Sequence, residues 1–504
     1  MIRSPKFVMP TLAALVFSFL FLSSAHAVAI EAKDSWQGLY FNNQKIGYSH
    51  IRMEKADFRG KPAVKIVSNS AISIEMLGTR TSQDTCTTSW TDAGYHPIYQ
   101  EFKLSSNGSA LNVSADYQSN RIVCKVNAGG GVSERIIEIP EGANLSGGDI
   151  DNPAQGRKVY PGQKSTCYYL NPLTIALDKS DSEVQAVENV RLANSAYQAF
   201  RIVTTSQMGR IVSWQTADGD TLKGEMPMGM AMYREDREHA INRKTTAPAF
   251  VVEGLPGNNQ VKPKDKSGDF ALATAIIPNR LIQNPRTAKS LSVTINGAVE
   301  QGFFISDSRQ TAKEDTDHPG SWSIKVRAAA FDSERSVHLP IRDSAFKEYL
   351  ISAPYLESEA PEISEIARQL KGSETNAASA AERIRQWVYK SMKPDASIGV
   401  PRSCLDVYKK RIGVCRDYAT LFAGIARAAG IPTRMAGGII YADGRFYYHA
   451  WAECWLGEWV PFDATLKESF VDATHIKFSQ GGVTDMYNVS GIIGRIQLKI
   501  QTVE

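Results

Sequence analysis

Cysteine and histidine are scarce in this chain, and neither sign of charge dominates. Six cysteines in 504 residues are too few for a disulfide scaffold, which relies on dense bridging of a small core. The 57 basic and 53 acidic residues leave a formal charge of +4. That field is too weak and too mixed to mark a binder of nucleic acid or anionic lipid. Beyond residue 22 no apolar run approaches the roughly 20 residues of a spanning helix. Eight histidines, one of them His26 in the leader described next, leave few candidates for an imidazole base.

The leader is the first feature that is present. Arg3 and Lys6 precede an apolar run from Phe7 to Leu22, and Ala25-His26-Ala27 follows as a small-x-small site. Residues 1–27 read as a secretory signal peptide, so the product is expected to be exported, to a bacterial periplasm or the exterior, with no transmembrane anchor after cleavage. The roughly 477 residues that remain suffice for two to four domains.

Residues 28–235 read as a β-rich N-terminal domain of short runs broken by turns, at Asn42-Asn43, Asp92-Ala93-Gly94 and Asp218-Gly219. Within it, Met226, Met228, Met230 and Met232 would share one face of a strand, more simply as core packing than as a ligand site. The charged, Pro- and Gly-rich stretch 236–268 reads as a linker or loop region. A second β-rich region, 269–345, carries Asn296-Gly297 as a hairpin signal. In 346–504 helical periodicity begins, with Pro361 at a helix start and Ile363, Ile366 and Leu370 at helical spacing. A mainly antiparallel β front followed by a mixed back gives an α+β fold class in separate domains.

The chemistry gathers in this last region. Cys415 opens a run in which Tyr418, Leu421, Phe422, Ile425 and Ala429 recur at helical intervals, and Gly430 with Pro432 stops it. A thiol in the first turn faces unpaired N–H groups and a partial positive charge, which favour thiolate and can receive an oxyanion. Downstream, three strands are joined by Asp443-Gly444 and by a turn near Gly457. His449 lies on the second strand among aromatics and supplies the base a cysteine nucleophile needs. Asp463 leaves the third strand and can orient the imidazole. This requires an odd loop or a bulge. A two-residue loop at Gly457-Glu458 would put Asp463 opposite Ala452 and on the wrong face, whereas three residues put it opposite Trp451, diagonal to His449. His475 and Asp472 are rival choices of base and acid. Glu453 lies too far along the strand from His449, and Asp417 is better read as a helix N-terminal carboxylate. Cys86 with Cys124 and Cys404 with Cys454 are candidate bridges between which spacing does not choose.

The blocks "GVCRDYATLFAGIARAAGIPTRMAGG", "YYHAWAECW" and "WVPFDAT" together resemble the signature blocks of the transglutaminase-like superfamily, whose core is similar to that of papain-like cysteine peptidases. The resemblance spans about 359 to 476. It implies a papain-like α+β catalytic domain in 346–504, with Cys415 as nucleophile, His449 as base and Asp463 as orienting acid. It also implies thioester acyl transfer on protein or peptide amides in the cell envelope, with hydrolysis favoured over crosslinking because many bacterial members are held to be hydrolases. No metal and no organic cofactor are called for, and "AGGIIYADG" is not a phosphate loop, since no helix follows it. The rival expectation is a cell-envelope scaffold that keeps the fold without turnover. The front half is similar to the β-rich region of some exported bacterial proteins of this type.

Overall fold

A computed structural model describes residues 32–146, 159–207, 209–253, 268–297, 303–468 and 471–504. The signal-peptide expectation at 1–27 lies outside them. The described residues divide into two compact units, one within 128–133 and 274–504, the other within 32–127 and 134–273. No helix among the described residues is long and apolar enough to cross a membrane.

The front unit is one antiparallel sheet of 15 strands. Long arms such as Gln44–Phe58, Lys61–Met76 and Thr79–Thr91 pair in sequence order. Several two-residue turns join them, at Asn42-Asn43, Arg59-Gly60, Leu77-Gly78 and Asn107-Gly108, with positive φ at both positions. That geometry matches the twist of the flanking strands. The first strand, Lys33–Phe41, pairs on one side with Gln44–Phe58 and on the other with Met230–Glu235. The methionine run is a turn rather than one strand face: Pro227–Gly229 forms a short 3₁₀ turn with Met228 at φ 66°, while Met226, Met230 and Met232 pack into the core.

The 236–268 stretch is more than a linker. Asp236 caps the helix Arg237–Ile241 by accepting from the His239 N–H. Phe250–Val252 pairs with Val190–Leu192 and sets Phe250 against Trp214 at 5.1 Å. The charged start of the stretch holds a short capped helix, 242–249 are turn and irregular backbone as a loop reading expects, and 254–267 fall outside the described residues.

In the C-terminal unit the second β-rich region is not a separate domain. Its strands β1 (Ser290–Asn296), β2 (Gln310–Glu314) and β3 (Ser321–Arg327) are completed by the last strand of the chain. Asn296 faces Ser321 and Gln497, so β1 pairs with distant segments instead of turning back at Gly297. Helices α1 (Pro361–Lys371), α2 (Ala377–Ser391), α3 (Cys404–Lys410) and α4 (Cys415–Ala428) precede β4 (Thr433–Ala442), β5 (Arg445–Trp455), β6 (Trp459–Phe462) and β7 (Ile476–Gly481). The closing strand is β8 (Gln497–Val503). The second sheet runs β6-β5-β4-β7. Every residue of α4 from Cys415 to Arg427 is buried, so this helix is apolar or ion-paired on all sides and forms the centre of the unit.

Candidate active site

The start of α4 is fixed by charge. Asp417, fully buried, accepts from the Val414 N–H at 3.0 Å and pairs with Arg416 at 3.0 Å and Arg402 at 3.2 Å. Burial works against its charge, but the two guanidiniums and that N–H outweigh it and hold the carboxyl below its ordinary range. Gly413 leaves room for the pair: a Cβ there would lie 2.5 Å from the Asp417 carboxylate and 2.6 Å from Arg402. The first residue of the helix thus fixed is Cys415.

His449 sits in the middle of β5, across from Gly438 in β4. A Cβ at Gly438 would come within 2.0 Å of the Ile476 carbonyl and 3.0 Å of the Trp451 ring. Glycine therefore lets β4, β7 and the indole close around the histidine. Beyond β5, Trp455 pairs with Trp459 and Ala452 with Phe462, so the loop is the three residues Leu456–Glu458. This is the odd loop that the triad reading requires. Asp463 follows directly, and its Oδ2 lies 2.8 Å from His449 Nε2. Cys415 lies within electrostatic reach of the same ring. Burial disfavours a charged ring here, but the charges of Asp463 and Cys415 and the hydrogen bond to Asp463 raise the histidine to about 10. Burial also opposes the Asp463 charge, which the two histidines nevertheless hold well below the carboxylate range. Cys415, His449 and Asp463 are all at most 2 % exposed.

The structure also brings in a residue weighed in the sequence only as a rival base. His475 Nε2 lies 3.2 Å from the same Asp463 Oδ2, and its Nδ1 lies 3.4 Å from Asp472 Oδ1. A repeat could have revealed this. The tripeptide Asp-Ala-Thr occurs at 463–465 and at 472–474. In each copy the aspartate Oδ1 accepts from the threonine N–H and hydroxyl. That is a local turn which ties down one oxygen and aims the other. The ligand atoms of His449, Asp463 and His475 converge within 4.8 Å, close enough to chelate. Each Asp463 oxygen, however, already accepts two hydrogen bonds from these neighbours, so the cluster uses as acceptors the lone pairs a cation would need.

Glu453 belongs to another network. It pairs with Arg434 at 2.7 Å and with the buried Lys477 at 2.8 Å, and Lys477 also reaches Asp307. All six cysteines are free thiols, so neither candidate bridge forms. Burial pushes Cys454 up to about 12 and Cys404 well above the ordinary thiol range, which makes both poor nucleophiles.

Cys415 thus opens the central helix of this unit, with His449 on β5 and Asp463 just past β6. Residues 364–464 match the model of the transglutaminase-like superfamily, and this part of the chain is a transglutaminase-like domain. A protein of Haemophilus influenzae described as uncharacterized is 34% identical over 100 residues, which span 18% of this chain and 26% of that protein. The chain thus spans about a quarter of that relative's length. Among solved structures, a proposed cysteine protease from Cytophaga hutchinsonii is 17% identical, with a TM-score of 0.30, over 43% of this chain and 87% of its own. A β-barrel-like protein of unknown function from Brucella abortus is 10% identical, again with a TM-score of 0.30, over 42% of this chain and 97% of its own. At these TM-scores neither likeness carries a functional conclusion.

Proposed function

We propose that the protein is an exported, cysteine-dependent amide hydrolase acting on protein or peptide substrates of the cell envelope. The observation that carries this reading is His449 held by Asp463 at 2.8 Å and within electrostatic reach of Cys415, the first residue of a buried helix. His449 holds the proton of the thiol as imidazolium, and the thiolate attacks the amide carbon. The oxyanion that forms is stabilised by N–H groups of the first turn of α4. Collapse of the adduct breaks the C–N bond, and His449 returns the proton to the departing amine. Water, deprotonated by the same imidazole, then cleaves the thioester to a carboxylic acid and restores the thiol. Asp463 stays ionised throughout, and fixes the ring while balancing the imidazolium charge. An amine in place of water would give transamidation by the same steps. The leader at 1–27 supports export.

The test begins with a thiol-directed probe on the native protein. Labelling is expected to vanish in Cys415→Ala and to survive Cys404→Ala and Cys454→Ala. Envelope proteins or a peptide library are then incubated with wild type and Cys415→Ala, with and without an added amine. New peptide termini seen by mass spectrometry only with wild type support hydrolysis, whereas products heavier by the amine minus ammonia correct it to acyl transfer. A Cys415 that no probe labels points to a non-catalytic scaffold.

A further inference from the structure

We propose that His475 is a positioning residue, which acts through Asp463 to keep His449 aligned on Cys415; the proposal rests on the catalytic reading above. The ring is fully buried and stands edge-on to Trp451 at 5.4 Å, while His449 stacks on the same indole at 6.2 Å and meets the His475 ring edge-on at 5.7 Å. Both its nitrogens face carboxylates, Asp463 at 3.2 Å and Asp472 at 3.4 Å.

Asp472 is itself anchored at several points. Its Oδ1 accepts from the Thr474 N–H at 2.8 Å and hydroxyl at 2.5 Å. Its Oδ2 pairs with Arg286 at 2.8 Å, and Arg309 donates to its backbone carbonyl at 3.2 Å. The support thus runs from Arg286 and Asp472 through His475 to Asp463 and His449. Thr465 holds one Asp463 oxygen; the other is shared between the two histidines, which fixes the plane of the carboxylate as well as its position. A carboxylate held on one edge only can rotate and carry the catalytic ring with it, and misplacement of about 1 Å can cost about a hundredfold in rate.

Alkylation of Cys415 by iodoacetate across pH reads this alignment without a known substrate, because the anion is drawn to a thiolate paired with imidazolium. Wild type, His475→Gln, His475→Phe and Asp472→Asn are compared as full-length proteins, each with a thermal melt. The Gln amide can donate to Asp463 from the place of Nε2, whereas Phe fills the space without donating. In His475→Phe the neutral-pH rate is expected to fall on the order of tenfold or more, with the alkaline limb of the profile, set by His449, moved to lower pH. His475→Gln is expected to stay within about threefold of wild type, and Asp472→Asn to lie between. A folded His475→Phe with an unmoved or raised limb, or a Gln variant as slow as Phe, would overturn the proposal. If His475→Phe does not fold, the ordering of Asp472→Asn below His475→Gln decides, and equal rates for the two overturn it. A wild-type Cys415 inert at every pH would instead sink the catalytic reading itself.

Discussion

The two units bury polar groups in different proportions. Inside the front sheet they are mostly hydroxyls and amides, such as Gln83, Thr85, Thr87, Ser182 and Thr204, with Asp178 and the Lys45–Glu235 pair among the few buried charges. Inside the C-terminal unit they include ions: Arg385, Arg402, Arg416, Asp417, Glu453, Asp463, Asp472 and Lys477 are all nearly or fully buried. A sheet needs only neutral partners between its faces, since the strand ladders satisfy the backbone. Buried charges gain little stability over apolar residues of equal size, so a dense set of them invites a reason beyond folding. Here they surround the thiol helix and the two carboxylates that face the histidines.

The largest test of this contrast is Lys477→Met. It strips Glu453 and Asp307 of a shared cation while leaving the aliphatic stem in place, and is expected to cost about 3–5 kcal/mol in chemical denaturation. The matching change in the front unit removes both members of the buried Ser182–Thr204 hydroxyl pair, 2.9 Å apart. Ser182→Ala with Thr204→Val should cost less than about 1 kcal/mol, because neither polar group is left without its partner. Similar costs for the two would erase the distinction.

A smaller test uses one residue type in both settings. Asp178 in the front unit is pushed up to about 6 by burial, which hydrogen bonds from Asn171 and Tyr169 offset only in part. Asp472 is equally hidden; burial opposes its charge too, yet His475, Arg286 and Thr474 bring it down to about 2. The two therefore act on stability with opposite sign. The Asp472 contribution is present above the ordinary value of about 4 and is lost as pH falls through about 2. The Asp178 contribution is present below about 4 and is lost as pH rises through about 6. Asp178→Asn should thus be neutral near pH 4 and stabilising by about 2 kcal/mol at pH 7. Amide exchange along Ala176–Leu192 measures it, and a destabilised strand at pH 7 would show that the carboxylate is needed there.

What could be read from the sequence divides along the same line of local against distant. The helix that starts at Cys415 announces itself through its own periodicity and its Gly-Ile-Pro stop. The facing of Asp463 and His449 follows from counting one loop, because a strand reverses its face with each residue. The shared sheet of β1 and β8 could not be read, since some 200 residues separate the strands and pairing over that distance leaves no local trace. The place of His475 was hidden for a related reason. It arrives just before the edge strand β7 after a separate turn, and only the second Asp-Ala-Thr hints that two acids are built alike. In the front unit, within 236–268 where charge suggested a loop, a five-residue helix capped by Asp236 precedes irregular backbone at 242–249.

The smallest expected effect lies in the packing that supports the thiol helix. Gly424 faces α3, and a Cβ there would stand 2.2 Å from Cys404 Sγ and 3.0 Å from its Cβ. Gly424→Ala gains up to about 1 kcal/mol of helix propensity, against an overpacking cost of about 1–3 kcal/mol. The expected net is a loss of about 1 kcal/mol. Cys404 accounts for the clash, so Cys404→Ala should cost less in the Gly424→Ala background than in wild type, a coupling that a double-mutant cycle of melts would measure. Additive losses would mean that α3 and α4 shift apart freely, and the start of α4, with Cys415 on it, would then be held by the Asp417 ion pairs rather than by packing.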